Sequence, residues 1–160
     1  MHELRPQSAV QSATQPVSTR AEQPQLPALT ADEERFATAL WAVHREAIRS
    51  AVAMSFAGIS YHTENRDARA LARSIEPLAK FFHDAEIEVR TMSPPPSLSK
   101  THSQYVEAMA LYANAAAEIL KFTEDGDPQR LDVAHGLDVR ASEDMLRVGE
   151  VLWPGQYKPH

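Results

Sequence analysis

Between residues 30 and 152 apolar side chains recur at steps of three and four in four successive runs, each bounded by residues that start or stop helices. The first run opens on "TADEERF": Thr30 suits the N-cap, Glu33 the reciprocal capping-box position, and three acids complement the positive end of the helix dipole. Phe36, Leu40, Val43, Ala47, Ala51 and Met54 then form a stripe, widened on one flank by Trp41, Ile48 and Val52. This predicts a helix over 31–61. Its second half is rich in Ala, Ser and Gly, which admits a close neighbour and weakens the helix at Gly58.

The second run has the most regular repeat, Ala68, Leu71, Ile75, Leu78, Phe82, Ala85, Val89 and Met92, and predicts a helix over 65–92. Pro77 lies inside it; the repeat continues in phase on both sides, so a kink rather than a break is expected. "SPPPS" at 93–97 ends this helix, and its three prolines favour a stiff polyproline II connection. The third run, Leu98, His102, Tyr105, Met109, Tyr112, Ala116 and Ile119, predicts a helix over 97–123 with Val106, Ala113 and Leu120 beside the stripe. "EDGDPQR" supplies a stop at Gly126, a cap at Asp127 and a first helical residue at Pro128. The fourth helix, 128–152, carries Leu131, Ala134, Asp138, Ala141, Met145, Val148 and Leu152, with Leu137 beside them.

Four amphipathic helices with short connections predict an all-α fold, an antiparallel up-down-up-down four-helix bundle over 30–153. Ahead of it, residues 1–29 hold Pro6, Pro16, Pro24 and Pro27 among Gln, Ser, Thr and Ala, too few large apolar groups to offset the entropy of ordering. The expectation is an N-terminal arm that is disordered or ordered by a partner. Residues 154–160 form a short tail in which prolines and Gly155 surround Tyr157, directly after Trp153.

Composition narrows the chemistry. The 160 residues form one domain and carry a formal charge of −6 with no cluster of Lys and Arg, which argues against nucleic acid as a partner. The absence of cysteine excludes disulfides, thiolate nucleophiles, Cys-based metal sites and covalently attached haem. The most apolar stretch, "AVAMSFAGIS" at 51–60, is about half of the ~20 residues a membrane span needs. The start "MHELRPQSAVQS" shows no basic segment followed by an apolar one; the compartment, cytoplasmic or exported, stays open.

Seven histidines raise the question of a metal or haem. His62 and His83 fall outside the stripes and read as surface residues. Asp132 and His135 are three apart, but a bundle di-metal site needs Glu-x-x-His motifs and the chain has none, so no metal site is assigned. Asp138 sits on the stripe of the fourth helix, and a buried carboxylate demands a partner. Counting back along an antiparallel first helix puts His44 at its height, with Arg45 next to it. An interhelical pair fixing register is the first reading of Asp138 and His44; a ligand site is the second. His102 with Met109 could hold a b-type haem, against the simpler reading that His102 closes the bundle end by bonding a backbone group or water. No cofactor is assigned, and His44, Asp138 and His102 are the cofactor-binding candidates. No phosphate loop and no Ser or Thr paired with a base and an orienting acid is present, so no catalytic residue is assigned.

"PPPSLSKTHSQYVEAMALYANAAAEIL" resembles a pattern in small uncharacterised bacterial helical-bundle proteins, in which a Pro-rich joint precedes a helix with spaced His and Tyr and then Ala-rich turns. The resemblance covers the second half of the chain. It implies a bacterial source and a noncatalytic bundle, and carries over no functional residue.

The expected function is a noncatalytic accessory or structural subunit docking through its tails onto a larger protein complex. The contact candidates are Pro16, Pro24, Leu26, Pro27 and Leu29 in the arm, and Trp153 and Tyr157 at the other end. Trp153 and Tyr157 have a second reading, a lid folded over the bundle end beside Met92, Leu98 and His102. The alternative function is a bundle holding a metal, haem or small apolar molecule between its helices.

Overall fold

The computed structural model describes residues 28–64 and 66–155, and these build an antiparallel four-helix bundle with no strand among them. Helix α1 spans Ala31–Thr63, α2 Ala68–Thr91, α3 Ser99–Asp125 and α4 Gln129–Leu152, with a short 3-10 turn at Pro96–Leu98. The helix ends follow local chemistry. At α1 the capping box is formed in both directions: Thr30 N–H donates to Glu33 Oε2 at 2.7 Å, and Glu33 N–H donates to Thr30 Oγ1 at 3.4 Å. α2 starts at Ala68, three residues later than the pattern suggested, because Asp67 Oδ1 accepts from the N–H groups of Arg69 and Ala70.

Pro77 leaves α2 unbroken. It is exposed, on the solvent-facing side of the helix. Pro95 has the extended φ −56°, ψ 149° of a polyproline II residue before the chain tightens into the turn that leads into α3. α3 continues past Thr123 to Asp125 and stops where Gly126 takes a left-handed φ of 72°. In the following turn Asp127 Oδ1 accepts from Gln129 N–H at 3.0 Å. Arg130 reaches back to Asp125 at 2.6 Å and to Glu118 at 3.1 Å, clamping α4 to the end of α3.

α3 is the central helix. Tyr105, Met109, Tyr112, Ala116 and Ile119 are buried along one side, and Ala108, Leu111, Ala115 and Phe122 along another. It packs extensively on both α2 and α4, while α1 packs chiefly on α2 and meets α4 only sparsely. Small buried residues on both partners, Ala108 and Ala115 on α3 with Ala134, Ala141 and Gly149 on α4, allow the closest helix approach.

The small-residue half of α1 was the segment expected to admit a close neighbour. Its neighbour is α2, and on the other side Val52, Phe56 and Ile59 remain 50%, 64% and 56% exposed.

Candidate functional site

The end of the bundle where α1 begins and α4 finishes gathers the largest aromatic group, Trp41 and His44 of α1, Tyr105 of α3, and Trp153 just past α4. Trp153 stacks on His44 with ring centroids 4.3 Å apart and meets Trp41 edge-on at 5.1 Å. His44 is fully buried and touches Tyr105 at 5.8 Å. Burial holds its imidazole well below the ordinary histidine range, at about 4, so the ring is neutral near pH 7. Tyr105 is also fully buried, and its hydroxyl has no hydrogen-bond partner among the described residues. Burial raises its pKa, with the neighbouring Tyr112 adding to the effect.

Seven residues along α3, Tyr112 stacks on Phe82 at 4.8 Å and shares a 3.0 Å hydrogen bond with Ser142 of α4. Its pKa is raised mainly by burial; the Ser142 bond opposes the shift and the Asp138 charge adds to it. Asp138 is half-buried, its Oδ1 is enclosed with no hydrogen-bond partner among the described residues, and desolvation raises its pKa. His135 acts weakly in the opposite direction.

The proposed pairing of Asp138 with His44 is not what the bundle forms. With Tyr112 facing Ser142, Tyr105 falls opposite Gly149 and Asp138 opposite Ala116. His44 rests on Tyr105, so the two residues lie roughly 16 Å apart along the axis. Arg45 is exposed.

His102 is half-buried against Phe36, ring centroids 5.7 Å apart, and its Nε2–H donates to the Val89 carbonyl at 2.8 Å. That bond fixes the tautomer and ties α3 to the end of α2. It also occupies the nitrogen that the haem reading required. Met109 is fully buried. His62, His83, Asp132 and His135 are exposed, and no group of three His, Cys, Asp or Glu side chains that could hold a metal occurs among the described residues. No helix among them is long and apolar enough to cross a membrane.

Of the contact candidates, Leu29 and Trp153 are half-buried against the core. Trp153 covers the α1–α4 side at Trp41 and His44, where the lid reading placed it beside Met92, Leu98 and His102. Pro16, Pro24, Leu26, Pro27 and Tyr157 lie outside the described residues.

The outer surface across α1 and α4 is a feature that the core stripes do not reveal. Arg45, Arg49, Val52, Phe56 and Ile59 follow steps of four and three along one face of α1. Val139, Glu143, Leu146 and Glu150 do the same on α4. Val139 and Leu146 are 41% and 52% exposed, so both faces present apolar groups to solvent. A second row at helical spacing on each helix is the signal for it in the sequence; Val52, expected to widen the core stripe, belongs to this open row instead. Compared with family models, curated proteins and solved structures, the chain matches none of them.

Proposed function

We propose that this protein is a noncatalytic accessory subunit, a rigid bundle that docks onto a larger protein partner through the segments at its two ends. The observation that carries the reading is that Leu29, ahead of α1, and Trp153–Gly155, behind α4, leave the bundle at the same end, next to the Trp41–Trp153 contact. Two adjoining segments can therefore engage one surface together, and linked contacts reinforce each other through effective concentration. The Pro-rich sequence of the arm limits the entropy lost on binding. The test compares the whole chain with one lacking residues 1–27 as bait for partners from the cells that make it. Loss of partner capture with an unchanged melting temperature supports the proposal; retained capture overturns the role of the arm.

A second reading, a ligand-binding bundle, is favoured by one observation: the Tyr105 hydroxyl and Asp138 Oδ1 are both enclosed without hydrogen-bond partners among the described residues. A small molecule with polar groups could answer either atom. Native mass spectrometry of the purified protein tests this by the presence or absence of added mass, and its visible spectrum and metal content test the haem and metal versions.

A further inference from the structure

We propose that the exposed α1–α4 face is a homodimer interface, in which α1 of one copy lies on α4 of a second copy. Apolar exposure alone would not identify the occupant, but the charges on this face do. On α1 the row continues from Val52, Phe56 and Ile59 into Arg45 and Arg49, and on α4 the apolar residues alternate with Glu143 and Glu150. One wall is therefore apolar and cationic, the other apolar and anionic.

Within one chain the two helices stand apart, and no ion pair among the described residues joins α1 to α4. Arg49 instead makes a long 3.4 Å contact with Glu46 on its own helix, and Glu143 a 3.5 Å contact with Arg147. These exposed contacts contribute little and exchange easily.

A second copy related by a two-fold axis satisfies both walls at once, because placing α1 on the partner's α4 places the partner's α1 on α4 in return. The contact closes and leaves no face free to propagate. The rows overlap along most of their length: Arg45 to Ile59 covers about 21 Å of α1 and Val139 to Glu150 about 17 Å of α4.

The arm is a poorer occupant. Leu29 packs on the core, and ahead of it the aliphatic residues Leu4, Val10, Val17 and Leu26 are six to nine positions apart, about 20 Å or more when extended, so the arm brings at most two of them to either row. It also supplies no run of charges to answer both walls. This interface is separate from the docking segments, and a dimer would carry two sets of them.

Sedimentation velocity and light scattering on the full chain across micromolar concentrations at low salt give the test. The expected mass is twice the 17.8 kDa of the chain. Phe56→Glu should yield a monomer with unchanged far-ultraviolet circular dichroism, since Phe56 lies outside the core.

Reversing Arg45 and Arg49 to Glu should raise the dimer dissociation constant about tenfold or more, and adding Glu143→Arg with Glu150→Arg should restore it. A wild-type chain that stays monomeric at every concentration overturns the proposal, whether the arm or a foreign protein covers the face. A dimer that survives Phe56→Glu overturns the location. Failure of the double reversal to restore affinity overturns the pairing of α1 with α4.

Discussion

Trp41 and Trp153 meet edge to face, ring centroids 5.1 Å apart, and this contact joins the third turn of the first helix to the residue that follows the last one. Because α1 and α4 otherwise touch sparsely, the indole of Trp153 is the main apolar bridge between them. It also forms one wall around His44.

Trp153→Ala should therefore cost about 2 kcal/mol, less than truncating a fully enclosed tryptophan because part of this side chain already faces water. Urea unfolding should show a lower midpoint with an unchanged slope. Trp41 emission should shift to longer wavelength in the folded protein as its ring gains contact with water.

His44 predicts a loss of stability on acidification. Its folded-state pKa, about 4, lies below the ordinary 6.5, so the unfolded chain takes up the proton first. The folded state is favoured in full above pH 6.5 and loses ground as pH falls toward 4, by on the order of 3 kcal/mol in all. His44→Phe should flatten that part of the stability profile, measured as the difference between variant and wild type at pH 7.5, 5.5 and 4.5.

The two stripe tyrosines of α3 should respond differently to loss of their hydroxyls. Tyr105→Phe removes a buried oxygen that has no hydrogen-bond partner among the described residues and should be neutral or stabilise by about 1 kcal/mol. Tyr112→Phe breaks the bond to Ser142 and should destabilise by about 1 kcal/mol. Paired denaturation curves check the contrast. A Tyr105→Phe protein less stable than wild type would mean that a water or ligand answers that hydroxyl.

Asp138→Asn should stabilise the protein near neutral pH by on the order of 1 kcal/mol. Desolvation raises the carboxyl's pKa, so the folded state holds the proton more tightly than the unfolded chain. The resulting stabilisation is complete below the unfolded pKa and disappears as pH rises through the folded one. The advantage of Asn should accordingly shrink as the solution is acidified, the opposite trend to His44. Thermal unfolding of both proteins at pH 7 and pH 4 separates the two.

The parts of the fold that depend on neighbouring residues were legible in the chain. Thr30 with Glu33, and Gly126 with its left-handed φ, define helix ends through bonds spanning three or four positions. The core stripes were equally clear, since Phe82, Val89 and Met109 repeat at the helical period and are fully buried. Heights across the bundle were not. Matching the ends of α1 and α4 paired His44 with Asp138, whereas the register is fixed through α3 by Tyr105 against His44 and Tyr112 against Ser142. A sequence pattern also does not tell a stripe that a neighbour covers from one left open, and Val52 was misassigned for that reason.

The central place of α3 has a consequence for motion. α2, α3 and α4 share the two broad helix interfaces, while α1 adds one broad interface and a narrow aromatic contact. The cheapest partial opening of the molecule is then the departure of α1 from an otherwise intact three-helix remainder, well before global unfolding. Amide hydrogens of α1, apart from its fraying ends, should exchange through that opening faster than those of α3. Where the bundle yields first, the arm ahead of α1 is released with it, so the helix nearest the proposed docking segments is also the one most easily exchanged between copies.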